Sequence, residues 1–185
     1  AGLAAGADVL IMSVGALLAH EDLVAQAEAA GRRIYVPTGA IAALDAVRAA
    51  RPAGLERVTL QTTKPPRGLA GAPGVAGLDL DALTEPTTVF EGSAREAVAA
   101  FPANVNVAAA LSLAGIGADR TQVRVVAAPG RSVNEHRIEA EGAFGRLTVT
   151  VENVPSPDNP KTSYLAALSA LALLRRLSAT LVVGS

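Results

Sequence analysis

The chain has 185 residues, half of them apolar, with 16 basic against 17 acidic residues and a formal net charge of −1. That length holds one domain or a domain and a half, with apolar residues to spare for a core. Balanced charge offers no surplus of cations to neutralise phosphates, which argues against a nucleic-acid partner. With no cysteine, and His20 and His136 as the whole histidine content, disulfides, thiolate catalysis, Fe–S clusters and sulfur- or histidine-rich metal centres are excluded. Cofactor chemistry, acid–base chemistry and binding remain.

Ala1 to Gly6 reads as the last turn of a helix with Gly6 as its stop. The chain thus opens mid-pattern, as the later part of a longer protein would, and no secretory leader is expected. Asp8 to Ser13 reads as a buried strand, Val14 to Leu17 as a turn, and Glu21 to Ala30 as a helix stopped by Gly31. Arg33 to Val36 is a second short apolar strand, and Ile41 to Ala50 a further helix ended near Pro52. Apolar strands separated by helices imply parallel pairing covered on both faces, half of a doubly wound sheet.

From Leu55 the pattern changes. Glu56 to Thr63 alternates with period two, as a half-exposed strand does. Lys64 to Gly77 holds three Pro and four Gly and reads as a loop. Thr87 to Glu91 is a strand, Ser93-Ala-Arg-Glu96 a capping box opening a helix that Phe101-Pro102 closes, and a second helix runs from near Asn104 to Gly115. Strands at 122–127, 132–141 and 146–152 follow, the mark of an antiparallel or mixed α+β layer. Asn159 can cap the last helix, Pro160 suits its first position, and Arg175-Arg176 suit its last turn. Its apolar stretch, Leu165 to Leu174, falls short of the roughly twenty residues a bilayer requires, so no membrane is expected. The expectation is a buried helix wedged between layers or subunits.

Candidate chemistry collects at a few positions. Alternation puts Asn134, His136, Ile138 and Ala140 on one face and Glu135, Arg137, Glu139 and Glu141 on the other, so His136 lies on the covered face. A covered imidazole serves either as a general acid or base or as a satisfied core histidine. His20, before Glu21-Asp22, reads as exposed. Thr38-Gly39-Ala40-Ile41 follows a parallel strand, where open α/β sheets bind ligands; Gly39 would permit close backbone approach. Ser13 to Ala16 is a weaker turn of that kind. Of Asn104 and Asn106, one caps the helix and the other carboxamide is left to bind something. Lys64, Arg67, Lys161, Thr162 and Ser163 are anion handles. Lys161 opposes the dipole of its helix, which a substrate carboxylate would explain, while Lys64 and Arg67 read more simply as solvated loop residues.

Several segments in order resemble the L-aspartate dehydrogenase family. They are Val9 to Ala16, Ile34-Tyr-Val-Pro-Thr-Gly-Ala-Ile41 with Leu44-Asp45, Thr63-Lys-Pro-Pro66, Phe90 to Glu96, Phe101-Pro-Ala-Asn-Val-Asn-Val107, and Val151 to Pro157 leading into Asn159-Pro-Lys-Thr-Ser-Tyr-Leu165. The resemblance implies α/β plus α+β architecture: the C-terminal part of a Rossmann sheet over 1–37, a mixed-sheet catalytic and dimerisation domain over 38–159, and a helix over 160–185 packing back between layers. It implies NAD or NADP as cofactor, L-aspartate (or oxaloacetate and ammonia) as substrate, a homodimer, and a cytoplasmic enzyme. His136 falls on the family's catalytic histidine, and Ala40 and Asn106 on its nicotinamide contacts. Gly39 joins them as the close-approach residue, with Lys161 and Ser163 for the substrate carboxylate. The family's glycine-rich phosphate turn is expected upstream of Ala1. A dimerisation or substrate-binding module without activity, and a dehydrogenase of another small amino or keto acid, stand as alternatives.

Overall fold

Burial along residues 55–64 runs inward at Leu55, outward at Glu56 and Arg57, then inward at every even position from Val58 to Lys64. The change of phase coincides with a β-bulge between Leu55 and Arg57, which sets the even-numbered side chains toward the core from there on. In the computed structural model, which describes residues 2–102, 106–157 and 162–184, this strand, β3 (Leu55–Lys64), is the middle of a mixed five-stranded sheet. Its companions are β4 (Thr87–Ser93), β5 (Gln122–Ala127), β6 (Asn134–Gly142) and β7 (Gly145–Asn153), in the order β4-β5-β3-β6-β7. β3 and β5 are parallel and the other neighbours antiparallel. The expected mixed α+β layer is therefore present.

One face of this sheet is covered. Val58, Leu60, Val123, Val125, Ile138 and Ala140 meet α3 (Leu44–Ala50), α4 (Ala94–Ala100) and α5 (Asn106–Ala114) in one apolar cluster. The opposite face is open and charged, with ion pairs Arg57–Glu141 (2.8 Å), Arg124–Glu91 (3.2 Å) and Arg137–Glu139 (2.7 Å). Such solvated pairs contribute little to stability and serve mainly to keep the face polar. Ahead of the sheet, β1 (Val9–Leu10) and β2 (Ile34–Tyr35) pair in parallel, as expected, across the connecting helices α1 (Gly15–Ala19) and α2 (Asp22–Ala29). α5 joins the two regions. Val107, Ala108 and Leu111 enter the large cluster, while Ala109 and Ala110 pack with Val14, Leu17 and Leu18 in a second one.

Three expectations are corrected. The segment read as a turn at 14–17 begins helix α1, because Gly15 fits a first helical position whose amide is bound by a side chain described below. α3 starts at Leu44 rather than Ile41, since Ala43 takes a left-handed conformation (φ 68°) that breaks the helix before it. The last helix, α6 (Tyr164–Leu177), is not buried between the layers of this chain. Leu165, Leu168, Leu171, Leu174 and Leu177 are all exposed, because no other layer of the described residues reaches them. Ala166 alone of its apolar side chains packs on the main cluster. Asn159 and Pro160 lie outside the described residues.

Phe101, fully buried, closes α4 just ahead of the segment leading to α5, and stands edge-on to Phe90 (centroids 5.6 Å apart). Gly74 lies against its ring, where a Cβ would come within 2.5 Å of two ring carbons. Gly74→Ala is expected to destabilise the protein by about 1–3 kcal/mol through overpacking, read as a lower urea midpoint at unchanged m-value.

Candidate active site

The antiparallel registers gather the polar residues of the covered face at one end of the sheet. Thr62 stands opposite His136, and His136 opposite Val151; Asn134 stands opposite Asn153, and Lys64 beside Ala127. Cross-strand partners share a face and alternate residues return to it. Thr62 and His136 therefore form one row, and Lys64 and Asn153 belong to the next row toward the strand ends. All four are buried, with relative exposures of 0% for Thr62, 2% for His136, 7% for Lys64 and 2% for Asn153. The sequence reading of a covered His136 near its strand's start holds.

His136 Nδ1 and Thr62 Oγ1 are 3.0 Å apart and share a hydrogen bond. In the tautomer with the proton on Nδ1, the imidazole donates to the hydroxyl and Nε2 is left as the basic nitrogen. Burial, reinforced by the positive charge of Lys64, lowers the His136 pKa to about 3. The ring is thus neutral at any physiological pH. Burial likewise lowers the Lys64 ammonium to about 8, so it still carries its charge at pH 7.

Ala40 is brought to this end by a side chain that no local pattern singles out. Asn153 Nδ2 donates to the Ala40 carbonyl at 2.8 Å. Because that carbonyl can only accept, the amide's orientation is fixed, and Asn153 Oδ1 is left buried without a hydrogen-bond partner. Gly39 adopts φ 72°, and a Cβ there would meet nothing within 4 Å, so its backbone stays approachable. Its N–H donates to Ser169 Oγ of α6 at 2.9 Å. Ser163 is buried, bridged to Pro155 just beyond β7, and its hydroxyl does not cap α6. Asn106 opens α5, and its Oδ1 accepts from the Gly15 N–H at 2.9 Å, which leaves Nδ2 as the donor end of the amide. Lys161 and Asn104 fall outside the described residues. His20 and Arg67 are exposed, as read from the sequence. Lys64, classed there with Arg67 as a solvated loop residue, is not. No group of metal-ligating side chains is found among the described residues, and no helix among them is long and apolar enough to cross a membrane.

The family description "Aspartate dehydrogenase, C-terminal" matches residues 45–177, which contain Thr62, Lys64, Asn106, His136, Asn153 and Ser163. The chain belongs to the aspartate dehydrogenase family. It is 53% identical over 188 residues to an L-aspartate dehydrogenase of Methanosarcina barkeri, covering 99% of this chain and 69% of that protein. It is 51% identical to one of Bradyrhizobium diazoefficiens, covering 97% of this chain and 65% of the relative. The crystal structure of aspartate dehydrogenase from Thermotoga maritima superposes with a TM-score of 0.78 at 30% identity, over 97% of this chain and 69% of that one. The chain thus spans about two thirds of the length of these aspartate dehydrogenases, and its mixed sheet follows that fold.

The His136 environment sets a pH dependence. An unfolded histidine titrates near 6.5, so below that pH the unfolded chain takes up a proton that the native site refuses. This contribution to stability is complete above about pH 6.5 and declines as pH falls toward 3, by about 1.4 kcal/mol per unit. Urea titrations between pH 7 and 4 are expected to show this slope in the wild type and to lose it in His136→Gln. Thr62→Val, which leaves a buried ring nitrogen unbonded, is expected to lower stability by about 1–3 kcal/mol at pH 7.

Proposed function

We propose that the chain carries the catalytic portion of an NAD(P)-dependent L-aspartate dehydrogenase. L-aspartate is oxidised to iminoaspartate, which either hydrolyses to oxaloacetate and ammonia or supplies quinolinate and NAD formation. Family membership supports the reaction. The observation that carries it to particular residues is the neutral, buried His136, held by Thr62 at the sheet end where Asn153 and the Ala40 carbonyl also lie.

The residues at this end suit a nicotinamide. The buried, unpartnered Asn153 Oδ1 requires an N–H donor, which the carboxamide of that ring possesses. Ala40, the approachable backbone of Gly39 and the Nδ2 end of Asn106 would hold the ring, and the bound cofactor supplies the two-electron acceptor. Thr62 fixes the plane and tautomer of the imidazole. His136 Nε2 then takes a proton from the substrate ammonium, or from the water that adds to the imine, and returns it in the reverse direction. Burial keeps bulk water from competing for that nitrogen. Ser163, with Lys161, would contact a substrate carboxylate.

The proposal includes a cytoplasmic homodimer. The leucine ridge of α6, exposed at 38% for Leu165 and up to 53% for Leu174 and Leu177, supports an apolar contact of this helix with another surface. Light scattering at micromolar concentration is expected to give a dimer or a larger even assembly; a monomer would count against it. In the full-length enzyme, L-aspartate with either dinucleotide is expected to give NAD(P)H, and His136→Ala should lower kcat by about 10²–10⁴-fold with little change in KM for the dinucleotide. Equal turnover by the variant removes His136 from the mechanism. Preference for another small amino acid would favour the alternative substrate.

A further inference from the structure

We propose that Arg95 is a positioning residue for the cofactor: it latches α1 to the sheet layer and so holds, through Gly15, the carboxamide of Asn106. The inference rests on the reading of Asn106 as a nicotinamide contact. It adds a residue whose own guanidinium is engaged within the protein.

Arg95 belongs to the segment from Phe90 to Glu96, where its neighbours already have their duties. Ser93 and Glu96 form the capping box at the start of α4. Arg95, in the same first turn, takes no part in it, and a cation there faces the positive end of the helix dipole. Its guanidinium turns away from α4 altogether. Nε and Nη2 donate to the two carboxylate oxygens of Asp119 at 2.7 and 3.1 Å. Nη2 also meets Glu21, just ahead of α2, at 3.0 Å. Nη1 donates to the Leu18 carbonyl of α1 at 3.2 Å. Two-pronged pairing with Asp119 fixes the direction of the group, which a single solvated ion pair does not.

Helix α1 requires such a tie. It has five residues, too few to persist unaided, and Val14 ahead of it supplies no side-chain cap. Both of its ends are held from the sheet layer instead. Asn106 Oδ1 accepts the Gly15 N–H at its first position, and Arg95 takes the Leu18 carbonyl near its last. Between these ends a Cβ on Gly15 would stand 3.1 Å from Val98 Cγ1, so α1 lies directly on α4. The bond between Gly15 and Asn106 acts in both directions. It satisfies the start of α1, and it turns the Asn106 amide so that Nδ2 remains as the donor for a ligand. Releasing the far end of α1 loosens Gly15, and with it the orientation of that donor.

The test uses the full-length enzyme, with NADH and NADPH binding measured by calorimetry and amide exchange over residues 13–19 by mass spectrometry. Arg95→Ala is expected to weaken dinucleotide binding and raise its KM by about 3- to 10-fold, the worth of one hydrogen bond. Exchange over 13–19 should quicken, while KM for L-aspartate stays unchanged. Arg95→Lys should recover part of the affinity. Because Arg95 acts through Asn106, adding Arg95→Ala to Asn106→Ala should cost no further affinity. Unchanged dinucleotide affinity in an active Arg95→Ala enzyme overturns the proposal, and so does a loss that simply adds to that of Asn106→Ala. A lower melting temperature with KM unmoved would make Arg95 a structural tie and likewise end it. A wild type that binds neither dinucleotide removes the cofactor reading and the cofactor role of Arg95 with it, while exchange over 13–19 still decides whether Arg95 holds α1.

Discussion

The pairing of β3 with β6 is the constraint on which the site depends. Side chains alternate along a strand, so a slip of one residue in this register would turn Thr62, Lys64 and His136 out to the charged face and bring Gln61, Thr63 and Arg137 under the helices. The bulge between Leu55 and Arg57 fixes the phase at the far end of the strand, and buried Val58, Leu60, Ile138 and Ala140 hold it along the way. The apolar cluster therefore does two things at once. It covers the sheet, and it decides which polar residues are carried into the interior with it.

Much of this was legible in the sequence, and the failures have physical causes. The alternation of glutamates and arginines around His136 was enough to place it, because charged side chains must face water and an antiparallel strand offers one other face. The Ser93–Glu96 capping box is formed as read, with both reciprocal hydrogen bonds. Lys64 was missed because its place between a threonine pair and two prolines looked like the start of a loop. One further residue of strand is the difference between a solvated lysine and a buried one. Thr62 was hidden for a related reason, since a threonine on the inward phase is unremarkable until its partner is known. The contacts of Asn153 with Ala40, 113 positions apart, and of Asn106 with Gly15, 91 apart, belong to tertiary structure and have no local signature. The α6 ridge is not covered within the chain, because apolar composition reports a preference for cover and not which surface supplies it.

The interior of the site is electrostatically lopsided. A neutral imidazole and an ammonium share a buried sheet end, each charge penalised by lost hydration, and the ammonium further disfavours protonation of the ring.

A single hydroxyl couples this site to the outside of the molecule. Ser169, in the middle of α6, accepts from the Gly39 N–H and donates to the Ala166 carbonyl, so the turn that carries Ala40 is tethered to a helix with no buried side chain of its own. Such a helix belongs to the least protected part of a structure and loosens before the sheet does. Heating would accordingly release the Gly39 N–H from Ser169 first, while Ala40, buried and held by Asn153, keeps its place on the sheet.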